Sequence, residues 1–89
     1  MYLAKVIGTV VSTSKDERLV GFKLLLTQRV LGDGSPVGLQ EVAVDTVGAG
    51  VGETVIMTKG SSARYAADRQ QAPLDATIVG IVDTVEVEV

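Results

Sequence analysis

The sequence contains no cysteine and no histidine among its 89 residues. The lack of cysteine excludes disulfides, and the two absences together exclude a zinc site of the Cys/His type and any Ser-His or Cys-His catalytic pair. Aromatic residues make up only 3% of the chain, so a single-stranded nucleic acid would find few rings for base stacking. Neither disulfides nor a Cys/His zinc site, which stabilise many small domains, can therefore stabilise this one.

Positive charge is also scarce. The 8 Lys and Arg residues are dispersed and are outnumbered by 11 Asp and Glu, which leaves a net charge of −3. A phosphate backbone would be repelled by such a field, so the charge predicts no nucleic-acid partner. Residues 1–12 lack the basic start, long apolar run and cleavage site of a signal peptide, and no run is long enough to cross a membrane. We therefore expect no membrane partner and a cytoplasmic location.

Aliphatic residues are what the chain has in abundance. Hydrophobic residues make up 46% of it, and sixteen of them are valine, which favours strands. One domain over residues 1–89 is expected from the length, and a domain this short has a thin stability margin. An apolar surplus that a small barrel cannot bury internally indicates contacts between subunits.

Hydrophobic patterning predicts an all-β fold with one short helix. Alternating or continuous β-branched runs predict five strands, at residues 2–13, 19–28, 40–47, 53–59 and 76–87. Residues 60–69 are the helical segment, with Ser61 or Ser62 as its cap. Gly8 indicates a bend within the first strand, and the apolar run 76–82 indicates burial on both faces. Five strands and one helix fit a small OB-like β-barrel.

A glycine-rich turn and two carboxylates are a candidate site. Gly48, Gly50 and Gly52 do not form a dinucleotide fingerprint, because Glu53 stands in place of the third glycine and a strand follows. Asp45 and Glu53 flank the turn and could form an acid/base pair. The favoured interpretation is structural: the carboxylates accept N–H groups of the turn or pair with an arginine.

The segment Ser61-Ser62-Ala63-Arg64 allows two interpretations. A serine-capped helix start with an adjacent arginine could bind an anion. The favoured alternative is a helix cap together with an Arg64–carboxylate pair, within one chain or between subunits.

Four stretches of the chain together resemble the EutN/CcmL family of bacterial microcompartment shell proteins. They are LAKVIGTVVST at 3–13 with GFKLLL at 21–26, VAVDTVGAGVGETV at 42–55, GSSAR at 60–64 and PLDATIVGIVDTV at 73–85. The second and third are specific when found together. Two departures are Thr54, where many members carry an aromatic residue, and the last residue Val89, beyond which many members extend.

The resemblance implies a single shell domain over 1–89, an OB-like barrel that assembles as a homopentamer. Such pentamers cap the vertices of a carboxysome-like polyhedral shell tiled by hexameric shell proteins, and members are structural, without catalytic residues, cofactor or metal. The alternative is a small OB-fold binding protein for nucleic acid or a small ligand. Carried onto this chain, the family's signature predicts a subunit interface that contains Asp45, Gly48, Ala49, Gly50, Gly52, Glu53, Ser61, Ser62 and Arg64.

Overall fold

The structure is a computed structural model, which describes residues 1–13, 15–69 and 71–88. The predicted content of five strands and one short helix is confirmed. In chain order the elements are β1 (Tyr2–Val10), a short 3-10 helix (Glu17–Leu19), β2 (Lys23–Val30), β3 (Pro36–Asp45), β4 (Thr54–Lys59), α1 (Gly60–Ala66) and β5 (Ala76–Val82).

The five strands close into a barrel in the order β1-β2-β3-β5-β4. Four of the five pairings are antiparallel. The parallel contact between β3 and β5 is brief, with Val44 opposite Thr77 and Asp45 opposite Ile78. The register of β1 and β2 shifts between Val6 and Gly8, which confirms the bend predicted at Gly8.

Several predicted boundaries were wrong. The second strand begins at Lys23 instead of residue 19, because the 3-10 helix and a turn at Gly21, with φ of 94°, precede it. The third begins earlier than predicted, at Pro36, and the last ends at Val82 instead of residue 87. The helix stops at Ala66 instead of residue 69. The predicted domain over 1–89 also includes Ser14, Gln70 and Val89, which lie outside the described residues.

The barrel interior is filled by small and medium aliphatic side chains, as the composition predicted. Leu25 and Thr27 point inward from β2, and the Thr27 hydroxyl donates to the Glu41 carbonyl at 2.9 Å. The interior cluster consists of Ala4, Val6, Leu25, Ala43, Ala49, Val55, Met57, Ala76 and Ile78. Alternation places Ala43 of β3 inside, so Val42 and Val44 lie on the outer face.

A second cluster lies outside the barrel, beneath α1. It contains Val44, Ala63, Ala67, Ala72 and Leu74, with Leu19, Phe22 and Leu24 packed against it. The helix explains why β5 is buried on both faces only in its first half: residues 76–78 are at most 3% exposed, whereas Ile81 is 37% exposed. Within one subunit the predicted burial on both faces of 76–82 is thus complete only in the first half, and the second half leaves an apolar face that a neighbouring subunit could cover.

Many large apolar side chains nevertheless remain at the surface, among them Val11, Leu39 and Val51. This is the apolar surplus that the composition indicated. In the described part of the chain, no helix has the length and apolar character needed to cross a membrane.

Candidate subunit-contact surface

The carboxylates of Asp45 and Glu53 hold the loop between β3 and β4 in shape. Asp45 accepts the backbone N–H of Val47 on Oδ1 at 3.1 Å and that of Ala49 on Oδ2 at 3.0 Å. Glu53 Oε1 accepts the N–H of Gly50 at 2.6 Å. Both carboxylates are thus engaged by backbone donors, which is the structural role that the sequence favoured over acid/base chemistry.

This loop, residues 45–53, also closes one end of the barrel. Ala49 is fully buried in the interior cluster, and its carbonyl accepts the Lys23 ammonium at 2.8 Å. The loop is bonded to β1 as well, since the Gly52 N–H donates to the Val6 carbonyl at 2.8 Å and the Val6 N–H to the Glu53 carbonyl at 2.9 Å. The loop is therefore a fixed part of the barrel wall.

The outer side of the loop is apolar and open. Val47 is 41% and Val51 63% exposed. Gly48 and Gly52 have φ of 82° and 94°, a conformation that favours glycine, and a Cβ placed on either would meet nothing within 4 Å. The glycines therefore serve the turn itself, and the space beside them is free for another molecule.

Replacing Asp45 by Asn tests the loop's internal bonds. Asparagine keeps one acceptor oxygen and puts an N–H₂ donor where the second N–H now points, so one bond is lost. We expect a loss of about 1–2 kcal/mol in the free energy of unfolding, measured by chemical denaturation. Glu53→Gln is the matched control, because Gln retains the single acceptor that Gly50 uses. Equal losses for the two variants would contradict the assignment.

The start of α1 differs from the prediction of a serine cap. Lys59 is the N-cap residue and no side chain caps the helix. The chain passes from β4 straight into the helix through Gly60, with φ of 66°, whose N–H donates to the Asp75 carbonyl at 2.9 Å. Ser61 and Ser62 consequently lie within the first turn, exposed, and not before it.

Arg64 lies on α1 and is partly buried. Its Nη1 donates to the Leu74 carbonyl at 3.4 Å, a long bond that leaves most of its donors free. Among residues 1–13, 15–69 and 71–88, the ion pairs found are Arg18–Asp16 and Lys59–Glu41, so no carboxylate within this range pairs with Arg64. Arg64 lines an open groove with Ser61, Ser62 and Tyr65, whose side chain is 76% exposed.

The predicted interface residues therefore form two groups on one subunit. The loop 45–53 leads into β4 at Thr54, and α1 follows at the other end of that strand. At about 3.3 Å per residue, the two ends of β4 are roughly 20 Å apart. One subunit does not bring the two groups into a single site.

The barrel mouth holds a cluster that the sequence analysis missed. The Tyr2 hydroxyl donates to Glu41 Oε1, and Glu41 Oε2 pairs with Lys59 Nζ at 3.3 Å. The Arg29 guanidinium carbon lies 4.3 Å from the centre of the Tyr2 ring. The only available signal was one aromatic residue at the start of a strand, because the partner Glu41 is 39 positions away.

Alkaline pH provides a test of this cluster. Burial, followed by the hydrogen bond to Glu41, raises the pKa of Tyr2 above its usual value. The folded protein keeps the phenol proton where the unfolded chain loses it, so stability falls as the pH rises above about 10. Tyr2→Phe keeps the ring but has no proton to lose. Unfolding curves at pH 9 and pH 11 are expected to diverge more for the wild type than for Tyr2→Phe, and equal divergence would contradict this role.

The described residues contain no group of three or more His, Cys, Asp or Glu side chains placed to hold a metal ion.

Comparison with known proteins adds an independent line of evidence. The family model described as ethanolamine utilisation protein EutN/carboxysome matches residues 1–83. The microcompartment shell vertex protein GrpN of Rhodospirillum rubrum is 58% identical over 86 residues, which cover 97% of each chain. The carboxysome shell vertex protein CcmL of Synechocystis is 54% identical over 87 residues, or 98% of this chain and 87% of CcmL.

A solved structure extends the likeness to three dimensions. It is described as the GrpN pentameric microcompartment shell protein from Rhodospirillum rubrum. It superposes with a TM-score of 0.89 at 57% identity and covers 99% of this chain and all of that one.

Proposed function

The chain belongs to the EutN/CcmL family, and from that membership we propose that five copies form a ring that caps a vertex of a polyhedral bacterial microcompartment shell. The observation that carries the proposal is the full-length likeness to a solved pentameric shell protein. The function is then structural, and no reaction is assigned to the chain. Its location would be the microcompartment shell, within the cytoplasm.

The mechanism is geometric. A flat sheet of hexameric shell proteins has no corners, and a closed polyhedron needs a five-fold unit where facets meet. A wedge-shaped subunit repeated five times supplies that unit, and hexameric shell proteins would be its neighbours. The contact within the ring is heterologous, so two different patches of each subunit meet, and the rotation closes.

The two separated groups of residues fit this requirement. In a ring, the loop 45–53 of one subunit can face the α1 start of the next, although the two are about 20 Å apart within one subunit. The loop would contribute exposed valines and open glycine backbone, and α1 would contribute Arg64 and two exposed serines. We propose that Asp45, Gly48, Ala49, Gly50, Gly52 and Glu53 shape the first patch, and Ser61, Ser62 and Arg64 the second.

Arg64→Ala tests the second patch. Because most Arg64 donors are unused within the subunit, their loss would be felt mainly across the contact. We expect the ring to dissociate at about tenfold higher protein concentration, measured by mass photometry on dilution, with the β-sheet circular dichroism unchanged. Arg69→Ala is the control, since Arg69 lies on the Phe22 ring and bonds the Asp68 carbonyl. Unchanged dissociation of Arg64→Ala would remove Arg64 from the interface.

The vertex role itself is tested by shell assembly. Hexameric microcompartment shell proteins would be produced with and without this chain and viewed by electron microscopy. With the chain, closed polyhedra are expected; without it, sheets, tubes or shells with open corners. Equally closed polyhedra in both preparations would overturn the proposal.

The alternative of a small OB-fold binding protein is less well supported. The net charge of −3 opposes nucleic acid, and the carboxylates of the loop are engaged by backbone donors. The relatives, moreover, are described as shell vertex proteins.

A further inference from the structure

Along most of its length, one edge of β3 has no strand partner among the described residues. On one side β3 pairs with β2 along its length, but on the other it meets β5 only at Val44 and Asp45. From Pro36 to Ala43, no strand among the described residues covers that second side. Gly38, with φ of 77°, distorts the first part of the strand, so the regular open edge runs from Gln40 to Ala43. Open edges of this kind are templates for another strand.

The two faces of this edge differ in chemistry. On the inner face, Arg29, Leu39, Glu41 and Lys59 line a groove at the barrel mouth, which we call the cationic groove. Glu41 neutralises Lys59, and Arg29 has no carboxylate partner within the described residues. On the outer face, Leu19, Val42, Pro73 and Leu74 line a second groove, the apolar groove.

The C-terminal residues 84–88 show the same division. Their sequence is Thr-Val-Glu-Val-Glu, so in an extended strand the valines lie on one face and the glutamates on the other. They form no strand with any described residue, and Glu86 and Glu88 have no ion pair there. Val85 and Val87 lie beside the turn at Gly32, where a Cβ on Gly32 would be 3.3 Å from Val87 Cγ2, and they remain 42% and 59% exposed.

We propose that residues 84–88 of a second copy of this chain add as a strand to the open edge of β3. The valines then enter the apolar groove beside Val42, and the glutamates face the cationic groove and its unpaired Arg29. The opposite orientation would place glutamates beside Asp75, which also lines the apolar groove. The added strand and β3 would form main-chain hydrogen bonds with each other. The alternation of valine and glutamate in residues 84–88 would fix the register, because the valines match the apolar groove and the glutamates the cationic groove.

A second copy is the occupant because the chain's own tail is held elsewhere, on the Gly32 turn. Release of that contact and capture by a neighbour is an exchange of the same element between subunits, which costs little. The inference rests on the proposed ring, since the ring brings a second copy within reach. It adds an interlocking strand to the contact between loop 45–53 and α1.

Cysteine trapping tests the exchange cleanly because the chain has no cysteine of its own. The variant Val42→Cys/Val87→Cys changes two side chains that are 47% and 59% exposed, so folding should survive. After mild oxidation and denaturation without reductant, we expect a ladder of chains linked to one another. The control Gly32→Cys/Val87→Cys links two residues that lie close together within one chain. Its linked fraction measures how often the tail remains on the Gly32 turn of its own chain. Each single variant controls for chance collision between rings.

The outcomes separate the exchange from the ring. Native mass of the same sample before denaturation shows whether a ring is present. A ring whose chains are unlinked, or linked only within themselves, would overturn the exchange and leave the ring standing. Smaller species without links between chains would overturn the exchange together with the ring. Adding Glu86→Lys/Glu88→Lys to the first variant should lower the linked fraction several-fold, because the lysines would face Arg29.

Discussion

Val51→Asp is expected to break the ring into smaller species and leave the barrel folded. In the single subunit Val51 is 63% exposed, so a carboxylate there meets water and changes the fold little. In the proposed ring the same side chain lies in the contact, where an unpaired buried charge costs about 3 kcal/mol or more. That corresponds to a weakening of roughly a hundredfold or more at each contact.

Val20→Asp is a matched control for Val51→Asp. Val20 is also 63% exposed but lies in the turn after the 3-10 helix, outside the proposed interface. Val20→Asp adds the same charge and should keep the ring intact. Sedimentation velocity at several concentrations compares the two. An intact ring in both variants would mean that loop 45–53 is not in the contact, and dissociation of both would mean that the effect of Val51→Asp is not specific to the loop.

Leu25→Ala is expected to have the largest effect on stability. Leu25 is fully buried in the barrel interior, and truncation of such a leucine costs about 2–5 kcal/mol. The whole stability of a small domain is only about 5–15 kcal/mol, and each kcal/mol shifts the midpoint by roughly 4–8 °C at this size. A fall of more than about 10 °C in the thermal midpoint is therefore expected, measured by calorimetry.

The comparison variant for Leu25 is Leu31→Ala. Leu31 is 53% exposed in the β2–β3 turn, so the same chemical change should cost far less. Dilution adds a second readout, because a ring that binds only folded subunits makes the midpoint depend on concentration. If the barrel depends on neighbouring subunits for its stability, the thermal midpoint of Leu25→Ala falls further on dilution than that of the wild type. A midpoint that does not change with protein concentration would contradict that dependence.

Local interactions explain which predictions succeeded. The roles of Asp45 and Glu53 could be predicted because each carboxylate reaches N–H groups only two to four positions away. The strands of the barrel were found from alternation, which is a property of each strand alone. The bend at Gly8 also follows from one residue's lack of a side chain.

Contacts between distant segments explain the failures. The serine cap was wrong because β4 runs directly into α1, a junction set by the bond from Gly60 to Asp75. The tail was predicted as part of the last strand because its alternation is strand-like, but beyond Val82 it has no partner in the described residues. The Tyr2 cluster unites four strands, and nothing near Tyr2 in the sequence indicates Glu41.

Neither the alternation of residues nor the structure of a single subunit determines the proposed subunit interface. The predicted residues lie in two groups at opposite ends of β4, and only a neighbouring subunit can bring such groups together. Exposed valines in the loop and unused donors on Arg64 are consistent with that arrangement.

Five copies of this chain are proposed to form a closed ring without any ligand. Native mass spectrometry at moderate ionic strength measures this directly on the purified protein. We expect a dominant species of five chains, each of 9.3 kDa, with no bound small molecule or nucleic acid. A monomer or dimer as the dominant species at micromolar concentration would contradict it.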